Sequence, residues 1–232
     1  MKQEDRTVFD LVGKSGENST PYGEDPDQLI EHFPASNKKN GELAFIHGGY
    51  WRPEYDREHL RPLAQSLAEN GYSTHLIEYR RTPGDPDKGI TDIKTALYLL
   101  GEVVVIGHSA GGHLALINHD HKNVKAVIAL APITDLVVGE LENYDAGAIG
   151  QYLGCSAIER LDLNPISKNY TKPICIIHGV DDIRVPVEQS RNFATTHLNI
   201  KYIEVKNIGH FELIDPRAKV FDLLLNEIRK LL

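Results

Sequence analysis

The stretch that decides the fold runs from residue 103 to residue 114 and reads VVVIGHSAGGHL. Its four β-branched residues predict a buried strand, and a helical stretch follows after a sharp turn at residues 107–111. A serine flanked by small residues at such a turn is typical of a nucleophile elbow, in which a strained backbone exposes the serine hydroxyl. The alternative is a plain glycine-rich turn after a strand. We expect Ser109 to be a catalytic nucleophile.

Apolar strands alternate with amphipathic helices on both sides of this stretch. Strands are predicted at 42–46, 72–78, 103–106, 124–130, 174–177 and 201–205, and helices at 57–69, 90–100, 113–118, 188–196 and 217–231. Short, continuous apolar strands are typical of a parallel sheet that is covered on both faces. The pattern predicts an α/β fold with a mainly parallel, doubly wound sheet and helices on both faces. In such folds functional residues gather at the carboxyl ends of the strands.

Two segments interrupt the alternation. Residues 1–40 contain only weak strand signals, at 7–12 and 28–33, and residues 134–171 form a long insertion with short helices predicted at 144–153 and 156–161. Long insertions in compact domains often act as lids or binding loops. We predict a single domain over residues 1–232, with 134–171 as a lid-type insertion.

A serine hydroxyl is a weak nucleophile and needs a base, which the sequence offers after its last strand. His210 lies in the stretch GHF between that strand and the final helix, so it is the predicted base and then acid. Asp181 and Asp182 both lie in the loop after strand 174–177. The pattern His-Gly-x-x-Asp-x-x-Val-Pro favours Asp182 as the acid that orients His210, with Asp181 as the alternative.

A glycine-rich stretch, HGGYW at residues 47–51, follows the strand at 42–46. Acyl transfer develops an oxyanion that needs preorganised N–H donors, and glycine lets the backbone approach a substrate closely. We predict that the N–H groups of Gly49, Tyr50 and Ala110 form an oxyanion hole. The alternative is a plain glycine turn.

Five aromatic residues are candidates for a wall around an aryl substrate. Trp51 is the only tryptophan, and Tyr50, Tyr144, Tyr152 and Phe211 would complete the wall. The alternative for Trp51 is that it packs the loop. For the other four, the prediction depends on loop positions.

Several other polar groups have simpler explanations than a site. Arg80 and Arg81 follow a strand, where they would bind a carboxylate, but pairing of Arg80 with Asp92 on the next helix is favoured. The histidines at positions 113, 119 and 121 match no standard metal-ligand spacing. We predict no metal and no organic cofactor.

Composition excludes several classes of protein. The chain has 232 residues, with 25 basic and 33 acidic side chains and a net charge of −8, which disfavours nucleic acid as a partner. It has no apolar run of about 18 residues, as a membrane span needs, and its N-terminus lacks the apolar region of a signal peptide. Its two cysteines, without a Cys-x-x-Cys motif, exclude a disulfide scaffold. We expect a cytoplasmic protein without membrane or nucleic-acid partners.

The motifs at 47–51, 78–81 (EYRR), 107–114 and 209–211 together resemble the α/β-hydrolase superfamily. More narrowly, the chain is similar to the kynurenine formamidase (arylformamidase) branch and to small hormone-sensitive-lipase-like esterases, from about Tyr22 to the C-terminus. The chain order Ser, Asp, His is that of α/β-hydrolases. HGGYW departs from the His-Gly-Gly-Gly that is usual in the lipase-like esterases.

The resemblance implies a serine hydrolase that removes a small acyl group from an ester or an aryl formamide. One alternative is a prolyl-oligopeptidase-like peptidase, because the loops around Asp182 and His210 resemble those of such enzymes. Another is a non-catalytic receptor for a small molecule on the same fold.

Overall fold

The computed structural model describes residues 4–36 and 39–232. The strands are Asn18–Pro21 (β1), Leu29–Phe33 (β2), Gly41–Ile46 (β3), Tyr72–Ile77 (β4), Val103–His108 (β5), Val124–Leu130 (β6), Ile174–Gly179 (β7) and Lys201–Val205 (β8). The α-helices are Arg61–Glu69 (α1), Pro86–Leu100 (α2), Ala110–Ile117 (α3), Leu136–Leu141 (α4), Ala148–Leu153 (α5), Glu188–Thr196 (α6) and Val220–Leu231 (α7).

The eight strands form one sheet in the order β1-β2-β4-β3-β5-β6-β7-β8. Neighbours from β4 to β8 are parallel, whereas β1 and β2 add an antiparallel edge. The predicted mainly parallel sheet is therefore confirmed. Strand β5 lies inside it, between β3 and β6, so the turn that carries Ser109 sits near the middle of the carboxyl edge.

Strand β5 is apolar at successive positions because both of its faces are buried. Val103 and Val105 belong to one buried cluster, and Val104 and Ile106 belong to the cluster on the opposite face of the sheet. Successive side chains of a strand point to opposite faces, so a strand covered on both sides must be apolar at every position.

The N-terminal segment differs from its prediction. The strand predicted at 28–33 is present as β2, but the strand signal at 7–12 is wrong, because Thr7–Asp10 is a 3-10 helix. Its apolar residues do not pair with a strand: Val8 is buried, and the ring of Phe9 packs edge-on against Phe211 at 4.8 Å. Strand β1 has no signal in the sequence because all four of its residues are exposed.

The insertion at 134–171 folds into short helices. Besides α4 and α5 it contains 3-10 helices at Tyr144–Ala146, Ala157–Leu163 and Pro165–Ser167. Helix α4, which the sequence analysis did not predict, begins where the Asp135 carboxylate accepts hydrogen bonds from the N–H groups of Val137 and Val138. In the two described ranges, no helix is long and apolar enough to cross a membrane.

Candidate active site

The elbow after β5 is strained at Ser109, which adopts φ 56° and ψ −122°. Positive φ is unfavourable for a residue with a side chain and persists only where its surroundings enforce it. The serine N–H donates to the Leu130 carbonyl at 2.8 Å. A Cβ on Gly107 would lie 2.2 Å from the Gly111 carbonyl oxygen, and one on Gly111 would lie 2.2 Å from the Ile46 oxygen. The small residues of the motif thus let helix α3 start directly against β3 and β5.

The loop after β3 packs against the elbow. A Cβ on Gly48 would lie 2.9 Å from the Cβ of Ser109. The next three residues all have positive φ, at 107° for Gly49, 51° for Tyr50 and 55° for Trp51. Consecutive N–H groups in such a turn can form a concave site for an anion.

The three predicted oxyanion donors adjoin Ser109. Gly49 and Tyr50 line the same pocket as the serine. Ala110 opens helix α3, where the first N–H groups have no intrahelical acceptor.

The histidine loop after β8 meets the acid loop after β7. The Nδ1 of His210 lies 2.6 Å from Oδ2 of Asp182. The other carboxylate oxygen, Oδ1, accepts hydrogen bonds from the backbone N–H groups of Arg184 at 2.8 Å and Val185 at 2.9 Å. Of the two candidate aspartates, it is therefore Asp182 whose side chain contacts His210. With Nδ1 as the donor, Nε2 of the histidine is left as an acceptor.

The Asp182 carboxylate is buried but ionised. Burial alone would raise its pKa, but attraction to His210 and hydrogen bonds from His178 and His210 outweigh burial and hold the pKa well below its usual range. The neighbouring His108 stays neutral, because burial first, and then proximity to His210 and His59, lower its pKa well below the ordinary value. Its Nε2 lies 3.1 Å from the His210 carbonyl oxygen.

Ser109 and His210 line one pocket with a volume of about 70 Å³. A cavity of about 10–15 Å³ holds one water molecule. The pocket is therefore several times larger than a single water and suits a small acyl group. Sequence analysis placed five of its lining residues in the site, namely Gly49, Tyr50, Ser109, His210 and Phe211. It did not find the other seven, which are Arg6, Phe9, Tyr55, His59, His108, Asp145 and Arg184.

The remaining predicted aromatic residues lie elsewhere. Trp51 and Tyr152 stack at 4.3 Å with an interplanar angle of 11°, and both line a neighbouring pocket. The Tyr144 hydroxyl is hydrogen-bonded to the Glu142 carboxylate and to the Gln189 amide. Of the predicted wall, Tyr50 and Phe211 thus border the pocket of Ser109.

Arg80, Arg81 and His113 have partners within the protein. Arg80 pairs with Asp92 through two hydrogen bonds of 2.9 and 2.7 Å, and Arg81 pairs with Glu78 and Asp27. The ring of His113 is fully buried with Nε2 on the Leu163 carbonyl. Among residues 4–36 and 39–232, no group of three His, Cys, Asp or Glu side chains is arranged to hold a metal ion.

Comparison with solved structures identifies the fold. Esterase B from Lactobacillus rhamnosis superposes with a TM-score of 0.78 at 20% identity, over 97% of this chain and 89% of that one. A truncated carbohydrate esterase from gut microbiota gives a TM-score of 0.75 at 18% identity, over 93% of this chain and 98% of that one. The fold is that of the α/β-hydrolases.

Comparison of the sequence with those of known proteins finds a similar esterase and a matching family. Esterase LipC of Mycobacterium tuberculosis (strain ATCC 25618 / H37Rv) is 27% identical over 90% of this chain. The chain spans 64% of the length of LipC, less than two thirds. Residues 32–197, which include Ser109 and Asp182 but not His210, match the family model BD-FAE. Because this match covers more than half of the sequence, the chain belongs to the BD-FAE family of the α/β-hydrolase superfamily.

Proposed function

We propose that this protein is a serine hydrolase that removes short acyl groups from carboxylic esters. One observation carries the proposal: Ser109, on a strained elbow, shares a small pocket with His210, whose Nδ1 lies 2.6 Å from the Asp182 carboxylate. That LipC and esterase B are described as esterases supports an ester as the substrate.

The proposed reaction has two halves. The Ser109 oxygen attacks the substrate carbonyl while Nε2 of His210 takes the hydroxyl proton, and the oxyanion is stabilised by the N–H groups of Gly49, Tyr50 and Ala110. His210 then gives its proton to the departing alcohol as the carbon–oxygen bond breaks. A water molecule adds to the acyl-enzyme, losing its proton to His210, and the serine leaves with that proton. Asp182 holds His210 in the tautomer that these steps require, with the proton on Nδ1 and the lone pair on Nε2.

An aryl formamide is the second candidate substrate. The pocket is small, and the Tyr50 ring at its wall is fixed by a 2.7 Å hydrogen bond from its hydroxyl to the Arg184 carbonyl. Formyl is the smallest acyl group, so a tight acyl side favours it. A peptidase is less favoured, because LipC and esterase B, to which the chain is similar, are both named as esterases. A receptor would have no need of the complete set of Ser109, Asp182 and His210.

Parallel hydrolysis of p-nitrophenyl acetate and N-formyl-L-kynurenine tests the proposal, with Ser109→Ala as the control. We expect the unsubstituted protein to hydrolyse the ester and Ser109→Ala not to hydrolyse it. A kcat/KM above about 10⁴ M⁻¹s⁻¹ for the formamide would make that compound the better substrate class. If folded protein hydrolyses neither compound, or if Ser109→Ala stays active, the proposal is wrong.

A further inference from the structure

The N-terminal segment, residues 4–10, forms part of the pocket wall and is fastened at both ends. The Glu4 carboxylate makes two hydrogen bonds to the Arg184 guanidinium, at 2.7 and 2.8 Å. At the other end Val8 is buried in the core, and Phe9 packs against Phe211. Arg6 lies between these two attachments and lines the pocket.

Arg6 is held at the pocket by aromatic rings. Its guanidinium carbon lies 5.3 Å from the ring centroid of Phe9 and 5.4 Å from that of Phe211. A cation at this distance from an aromatic ring is attracted to it, and a guanidinium carries five N–H donors with which to bind an anion.

The other charges of the pocket are already paired. Arg184 contacts Glu4 at 2.7 Å and Asp145 at 3.9 Å, and Asp145 also contacts Arg52 at 3.0 Å. No carboxylate of the described parts of the chain lies within 4.0 Å of the Arg6 guanidinium. The Asp182 carboxylate is likewise occupied, by His210 and two backbone N–H groups. Of the two arginines that line the pocket, Arg184 is therefore paired, whereas Arg6 has no carboxylate partner within the described residues.

Arg6 also lies on the His210 side of the pocket. Phe211, which its guanidinium faces, directly follows His210, and the two rings lie 5.1 Å apart. In the proposed mechanism, His210 delivers a proton to the leaving group. The neighbourhood of Phe211 is therefore the leaving-group side, whereas the oxyanion donors Gly49 and Tyr50 belong to the acyl side.

From this arrangement we infer that Arg6 binds a carboxylate on the leaving group of the substrate. The preferred substrates are then esters or amides of a small acyl group with an alcohol or amine that carries a carboxylate. This inference rests on the proposed serine hydrolase function. It makes Arg6 a specificity-determining residue, because an anion at this position would complete a charge-assisted hydrogen bond.

Two isosteric esters test the inference. They are 3-acetoxyphenylacetate, whose leaving group carries a carboxylate, and neutral 3-acetoxyphenylacetamide, in which the same methylene insulates the reacting ring. We expect the intact protein to favour the anion by about tenfold in kcat/KM, a preference that weakens as salt is added. Arg6→Gln should reduce the ratio of the two kcat/KM values to about 1, and Arg6→Lys should keep part of it.

Arg229→Gln is the matched control, because it makes the same change of net charge at an exposed position of helix α7. It should leave the ratio unchanged. Equal kcat/KM for the two esters in the natural protein, or an undiminished ratio in Arg6→Gln, would overturn the role of Arg6 and leave the hydrolase proposal standing. Hydrolysis of neither ester would instead count against the hydrolase proposal itself.

Discussion

Replacing Asp182 with asparagine changes one atom of the site and tests how His210 is held. Asparagine keeps one oxygen, which can accept the two backbone hydrogen bonds that Oδ1 of Asp182 now accepts. At the position of Oδ2 it presents an NH₂ group to Nδ1 of His210. Two donors cannot face each other, so Nδ1 must become the acceptor and the proton must move to Nε2. The histidine then has no lone pair with which to take the proton of Ser109.

The expected loss of activity is large. The corresponding change in a well-studied serine protease lowers kcat by about 10⁴, which is equivalent to about 5.5 kcal/mol of transition-state stabilisation. We expect Asp182→Asn to lose a similar factor in kcat/KM for p-nitrophenyl acetate. Loss of the charged hydrogen bond should also destabilise the fold, by about 1–3 kcal/mol.

Asp181→Asn is the matched control, since it makes the same chemical change one residue earlier in the same loop. It should cost far less activity than Asp182→Asn, because Nδ1 of His210 is bonded to the Asp182 carboxylate. Thermal unfolding of both variants would show that each is folded at the assay temperature. The reasoning is refuted if folded Asp182→Asn keeps more than about a tenth of the activity, or if Asp181→Asn is the more damaging change.

Two further predictions concern stability. Gly111→Ala places a Cβ 2.2 Å from the Ile46 carbonyl oxygen, so it should destabilise the fold by about 1–3 kcal/mol in urea denaturation, whereas Gly150→Ala, whose nearest atom is at 3.7 Å, should not. An equally stable Gly111→Ala variant would contradict the close packing. Burial lowers the pKa of His113 to about 4, so the unfolded chain takes up a proton below about pH 6.5 that the folded protein resists. As the pH is lowered from 6.5 to 4, His113 should therefore reduce the free energy of unfolding by about 1.4 kcal/mol per pH unit, or about 3 kcal/mol in all. His113→Gln should show a shallower loss in the same range, and identical slopes would exclude this source of acid sensitivity.

The candidate catalytic residues could be predicted because each follows a strand. Ser109, Asp182 and His210 come after β5, β7 and β8, and parallel strands place their carboxyl ends along one edge of the sheet. Periodicity and the glycines at the turns are enough to locate such ends. The same argument placed the predicted oxyanion donors Gly49 and Tyr50 in the loop after β3.

The rest of the pocket depends on contacts between distant residues. Arg6 and Phe9 lie in a single 3-10 turn and its flank, which has no periodic pattern, and that turn is positioned by Arg184 and Phe211, about 180 and 200 residues later. The side of a loop that a ring faces is likewise set by packing. Trp51 illustrates this, since it stacks on Tyr152 and lines a neighbouring pocket instead of the pocket of Ser109.

Labelling with a fluorophosphonate probe, followed by mass spectrometry of the modified peptide, tests the central claim most directly. The probe reacts with a serine only when a base activates it and donors stabilise the charge that develops on the phosphoryl oxygen. We predict one modified serine, Ser109, in the natural protein, and at least a hundredfold slower labelling of folded Asp182→Asn. Absence of labelling in folded protein, or modification of a different serine, would contradict the assignment of this site.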